Sequence, residues 1–207
     1  RKTREQWHEQ IRMWGRKRSS IAVQFSDIFF DFRSAYGPPE MAAELRRAVT
    51  DMVGSSPAFL GELQRESARA DVALGWFGRL VTEKDKPGHR GEVNLKHRGT
   101  LPLVGSVRLL ALRESIAETA TLRRIEILGD RGVLGADEQD YLSGAFAHIT
   151  HLLLRQQIAD FKAGRKVGNY VHPQAMSERE RDILVDSLKA IDALRDRVAS
   201  EFTGEIF

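Results

Sequence analysis

From Asp137 to Ala163 apolar side chains return every three or four residues: Tyr141, Leu142, Ala145, Phe146, Ile149, Leu152, Leu153 and Ile158. An α-helix turns that spacing to one side, so this stretch is constrained to a long amphipathic helix with these residues as its buried stripe. A second such helix starts at Ser177, where Glu180 three residues on completes a capping box, and it buries Ile183, Leu184, Leu188, Ile191, Leu194 and Val198. The segments LPLVGSVRLLALRESIA, from Leu101, and TLRRIEILGDRG, ended by Gly129 or Gly132, read as two more. Everything after residue 100 therefore reads as a helical bundle.

The first hundred residues are less uniform. In PPEMAAELRRAVTDMV the prolines suit a first helical turn, and Met41, Leu45, Ala48, Val49 and Met52 fall on one face. SSPAFLGELQRESAR restarts a helix with Ser56 as cap and Pro57 behind it. Residues 83–100, EKDKPGHRGEVNLKHRGT, are polar and rich in glycine, without apolar periodicity, and are expected to be a loop; GRKVGNYVHP is a second one. The stretch FSDIFFDFRSAYG reads as a strand, which places Asp27, Asp31 and Arg33 on one face with Phe25 and Phe29. Two carboxylates so placed suit a hard divalent cation, and Arg33 suits a phosphate; the plainer alternative is an exposed Asp27 and a structural Asp31–Arg33 pair. The fold class expected is mainly α: a helical bundle with one or very few N-terminal β-strands.

Composition excludes several chemistries. Without a cysteine among 207 residues there are no disulfides, thiol nucleophiles or thiolate metal sites, which fits a cytoplasmic setting. No apolar run is long enough to span a bilayer. Walker, GxGxxG and GxSxG motifs are missing, and His148 and His151, three apart, lack an evident third metal ligand. Positive charge is local: residues 1–18 hold seven Lys or Arg against two Glu, in a chain whose net charge is only +3. With Trp7, Ile11 and Trp14 at helical spacing, that segment is either a helix with a packed aromatic stripe and solvated arginines or a phosphate-binding arm for nucleic acid. The first is expected. The chain opens on Arg1 and not on Met, and is expected to be a piece of a longer one.

Taken in order, IFFDFRSAYG, EVNLKHRGTLPLVGSVRLLAL, TLRRIEILGDRGVL, AFAHITHLLLRQQ and GNYVHP resemble the C-terminal part of a bacterial nucleotidyltransferase family. In that family cyclic-nucleotide-binding and CBS domains precede the catalytic module, and an all-helical substrate-binding domain follows it. EVNLKHRGTLPLV is also distantly similar to a lysine- and glycine-containing segment of PII uridylyltransferase and glutamine-synthetase adenylyltransferase. The resemblance implies that residues 1–37 are the end of the catalytic domain, a helix plus a strand, and that 38–207 are the helical domain. It makes Asp31 the third catalytic carboxylate and a ligand of Mg2+ in the complete enzyme; Asp27 is a neighbouring metal candidate by face alternation alone. Arg33, Glu92, Asn94, Lys96 and Arg108 become the candidates for binding a nucleoside triphosphate, Glu92, Asn94 and Lys96 by alternating along an extended segment.

The Gly-Ser and Asp-x-Asp motifs that precede the third carboxylate in such enzymes do not occur in this chain. Two-metal phosphoryl transfer needs several carboxylates, so these residues are expected to be inactive alone. The function implied is positioning of nucleotide and acceptor for metal-dependent transfer. The alternative is a non-catalytic regulatory helical module that binds a nucleotide or a protein. Expected partners are the upstream domains of the same chain, a protein acceptor and a second copy in a homodimer; nucleic acid and membrane are not expected.

Overall fold

The structure, a computed structural model, describes residues 3–16 and 31–203. Among them are seven helices: α1 Arg4–Arg16, α2 Pro39–Gly54, α3 Pro57–Ser67, α4 Leu101–Arg113, α5 Thr121–Asp130, α6 Ala136–Lys162 and α7 Glu178–Thr203. A two-stranded sheet, β1 Val93–Asn94 and β2 Tyr170–Val171, completes a mainly α fold, as expected. The chain divides into two compact units. Of the described residues, one comprises 3–16, 31–69, 106–128 and 198–203, the other 70–105 and 129–197.

In the first unit α2 packs on α1 and α3. Pro39 opens α2, where a missing N–H costs nothing. The helix buries Val49, Thr50 and Val53, all in its second half. The expected stripe is therefore rotated: Met41, in the first turn, is 66% exposed, and Leu45, Ala48 and Met52 are only half-buried. The end of α2 comes so close to the end of α4 that a Cβ at Gly54 would lie 2.8 Å from the Leu112 carbonyl oxygen. Only glycine fits there. Ser56 does precede α3, but its side chain makes no capping hydrogen bond, and its carbonyl accepts from the N–H groups of Phe59 and Leu60 instead. In α1, Ile11 is buried as the helical spacing predicts.

Asp31 lies in a turn and residues 32–34 are irregular, so the strand expected over this stretch is not formed from Asp31 onward. The rest of that expectation, including Asp27, falls outside the described residues.

In the second unit β1 and β2 run antiparallel, with Val93 opposite Val171 and Asn94 opposite Tyr170. This corrects the expectation of a plain loop over 83–100: its last residues form β1 and then a five-residue π turn, Lys96–Thr100, that leads straight into α4. The π turn sits on α6, where a Cβ at Gly99 would come within 3.3 Å of the Ile149 side chain. Helix α6 buries Leu142, Ala145, Ile149, Leu152 and Leu153. Tyr141 and Ile158, expected in the same stripe, are 64% and 52% exposed. The helix ends at Gly164, whose φ of +64° suits a residue without a Cβ. At the start of α7 the capping box is made in both directions: Glu180 N–H donates to Ser177 Oγ, and Ser177 N–H donates to Glu180 Oε2. Leu184, Leu188, Ile191 and Leu194 are buried along it, whereas Ile183 is not.

Candidate functional site

The only residue at 2% exposure or less that carries a formal charge, among those described, is Arg124 in α5. It is held by what lies around it in the first unit. Its Nε donates to the Glu118 carbonyl oxygen at 2.6 Å, and its Nη2 donates to Asp31 Oδ1 at 2.6 Å. Arg108, from α4, donates to the other oxygen, Oδ2, at 2.9 Å. One carboxylate thus joins two guanidiniums from two helices, and the Asp31 segment is tied to both. Charge-assisted bonds of this kind are worth about 1.5–3 kcal/mol each when shielded from water.

Two further charges complete the cluster. Burial pushes the Arg46 guanidinium below its usual pKa, with Asp31 and Glu118 pulling it back up, and the Arg46 guanidinium stands 5.0 Å over the Phe32 ring. The Glu118 carboxyl is held below the usual carboxylate range by the N–H groups of Ala120 and Thr119, and then by Arg124 and Arg46. Arg124 itself is pushed down by burial, against the pull of Asp31, while Arg108 and Arg46 push the same way as burial. Its remaining nitrogen, Nη1, is buried with no hydrogen-bond partner. A buried donor left open costs about 1–3 kcal/mol, and an additional oxygen acceptor would remove that cost.

This geometry bears on the metal assignment. Each Asp31 oxygen already accepts from a guanidinium, so a divalent cation there would stand against two positive charges at contact distance. Among the described residues no group of three His, Asp or Glu side chains gathers as a cation site. The described residues around Asp31 do not fit Mg2+. Arg33, two positions on, is exposed.

The second unit holds the other expected residues, and the expected alternation fails there for a local reason. The strand is only two residues long, so Glu92, Asn94 and Lys96 do not share an extended face. Asn94 is buried, and its Oδ1 accepts the His97 N–H at 3.1 Å, bracing the turn. Glu92 pairs with His89 Nδ1 at 2.6 Å, and His89 stacks on Tyr170 with ring centroids 3.7 Å apart. Lys86 hydrogen-bonds the Tyr170 hydroxyl. Lys96, first residue of the π turn, is left exposed. Asn169 closes the loop before β2: its carbonyl accepts the Leu95 N–H, and its side chain accepts from Gln157. His148 is engaged with the Glu180 carbonyl oxygen.

Arg46 is the residue of the cluster that sequence reasoning missed. Its signal was available, since it lies three and seven positions before Val49 and Val53 on the buried face of α2. The adjacent arginines of α5 separate cleanly, Arg123 to an exposed pair with Glu126 and Arg124 to the interior.

Among the comparisons with known proteins, residues 57–202 match a family model described as "putative nucleotidyltransferase substrate binding domain". No curated protein and no solved structure matches.

Proposed function

Since the chain belongs to this family of nucleotidyltransferase substrate binding domains, we propose that it positions a nucleoside triphosphate, through its phosphates, for transfer to an acceptor. The observation that carries this reading is the open Nη1 of Arg124 inside a cluster of guanidiniums. Arg108 and Arg124 present planar donor sets of the kind that recognises carboxylate and phosphate alike. Asp31 fills that role on one edge, and a phosphate oxygen is the acceptor that would fill the other. Arg46 adds a third positive charge beside it.

The cluster also has a mechanical consequence. By gripping Asp31 from α4 and α5, it fixes the segment that, by resemblance, ends the catalytic module. Positioning is what these groups can supply: none of them is a nucleophile, and none is placed to take a proton from an acceptor. The Mg2+ that supports the chemistry of such transfers would be held by carboxylates of the complete enzyme outside this cluster, and no nucleotidyl transfer is expected from these residues alone.

Titration calorimetry with ATP and UTP tests the reading. Wild-type chain is expected to bind one of them, and Arg108→Ala to weaken binding on the order of tenfold or more, as loss of one charge-assisted contact implies. Lys96→Ala tests the exposed lysine by itself. Absence of binding to either nucleotide, or binding untouched by Arg108→Ala, defeats the proposal, and transfer of labelled nucleotide by the isolated chain defeats the inactivity.

A further inference from the structure

Guanidiniums packed side by side repel, and Arg124 feels it: Arg108 and Arg46 both push it toward losing its proton, while Asp31 pulls it back. Asp31 is the resident anion of the cluster. Of the side chains joined by its two ion pairs it is the most exposed, 32% against 14% for Arg108 and 2% for Arg124. It belongs to no helix or strand, and from Arg33 to Pro38 the chain that follows is irregular and exposed. The arginines are thus set in the packed helices, and the carboxylate that joins them is carried on the outermost segment. Arg124 Nη1, the donor without a partner, is buried beneath. A phosphate oxygen that reached it would sit on the guanidinium beside Nη2, which already serves Asp31 Oδ1 at 2.6 Å. Two anions on neighbouring nitrogens of one guanidinium repel, and shielding from water strengthens the repulsion.

On the reading that the cluster takes a phosphate, we infer that Asp31 is the built-in competitor of that ligand: an internal carboxylate that holds the phosphate's place and must release Arg124 and Arg108 before the phosphate binds. Carboxylate and phosphate offer a guanidinium the same kind of oxygen acceptor, so the exchange leaves the arginines answered in both states. Occupancy by ligand and the grip on Asp31 then exclude each other, and binding lets the segment that starts at Asp31 go from α4 and α5. The family resemblance makes the opposite demand. A carboxylate that held Mg2+ for the nucleotide would weaken binding when removed, whereas a competitor strengthens it.

Titration calorimetry with inorganic pyrophosphate, without Mg2+, separates the two. Asp31→Asn keeps the size of the side chain and removes its charge, and is expected to bind about three- to tenfold more tightly than wild type even though it folds less stably. Asp31→Glu, which keeps the competing charge, should show no such gain. Glu126→Gln removes another carboxylate of the first unit, one that pairs with exposed Arg123 on α5, and should leave the affinity within about twofold. A merely structural Asp31 gives the opposite sign, because a loosened cluster binds less well. Trypsin reads the release in the wild-type chain: saturating pyrophosphate is expected to speed cleavage after exposed Arg33, followed by fragment mass. Equal or weaker binding by Asp31→Asn overturns the inference, as does an equal gain in Glu126→Gln, or cleavage after Arg33 that pyrophosphate slows or leaves unchanged. The phosphate reading survives those results where wild type still binds and Arg108→Ala still weakens it. That reading falls, and the inference with it, if neither wild type nor Asp31→Asn binds pyrophosphate or ATP.

Discussion

Arg124 and Lys86 are both cations that meet a partner far along the chain, Asp31 in one unit and Tyr170 in the other. Water separates their value. Arg124 has almost none around it, so its charge must be answered by protein groups, and every group that answers it becomes structurally committed. Lys86 is solvent-exposed, and its contact, like the stack of His89 on Tyr170, orders a surface loop without obliging the core to do anything. Polar contacts are a necessity in one cluster and an ornament of the surface in the other.

That contrast can be put under strain. Arg124→Ala should be the most damaging change, about 3–5 kcal/mol, since it opens a void and strips Asp31 of its buried partner. Chemical denaturation measures it, and a loss below that of any variant in the His89 cluster would reverse the comparison. Asp31→Asn keeps the shape and removes the charge, for an expected cost of about 1.5–3 kcal/mol, discounted toward the lower figure because Asp31 is about one-third exposed. His89→Ala should cost about 0.5–1.5 kcal/mol, the value of one aromatic stack. If it costs as much as Asp31→Asn, the surface cluster is more than surface.

The smallest effect is expected at the capping box of α7. The Glu180 carboxyl is held down to about 2 from an ordinary 4.5 by the Ser177 N–H first, and then by Arg155 and the Ser177 hydroxyl. A carboxyl lowered on folding stabilises the fold above its unfolded pKa, and that contribution disappears as pH falls through the folded value. Wild-type chain should therefore unfold at a higher temperature than Glu180→Gln at neutral pH, with the gap closing between about pH 4.5 and 2. A gap that persists unchanged down to pH 2 would show that the box acts through shape and not through charge.

How much of this could be read in advance depended on the range of the interaction. The helices α6 and α7 were legible because 3.6-residue spacing and the Ser177–Glu180 box are local signals. Their exact faces were less so: Tyr141 lies at the edge of the buried stripe and Ile158 on the opposite side of the helix, and both are exposed. Two-residue strands carry no period, which is why β1 was hidden in what reads as a loop. The Asp31 cluster was half legible. A resemblance picked out Asp31, and Arg108 was weighed as a phosphate ligand, but nothing in the sequence joins Asp31 to an arginine 93 positions away. Such a contact is fixed by tertiary packing, where spacing rules have no grip. The expectation for Glu92, Asn94 and Lys96 failed at a single assumption, that the chain stays extended past Asn94.

The turn that ended that extension has a consequence for how this segment can vary. From Lys96 to Thr100 the backbone closes with the Leu101 N–H reaching back five residues to the Lys96 carbonyl, one more than in an α-helix. That extra residue works as a phase shim between β1 and α4. Shortening the stretch by one would turn whatever precedes it by about 100° around the axis of α4, carrying Val93 off its pairing with Val171. Exchange of side chains such as Lys96 and His97 leaves that phase intact, so the segment should accept new letters far more readily than a new length.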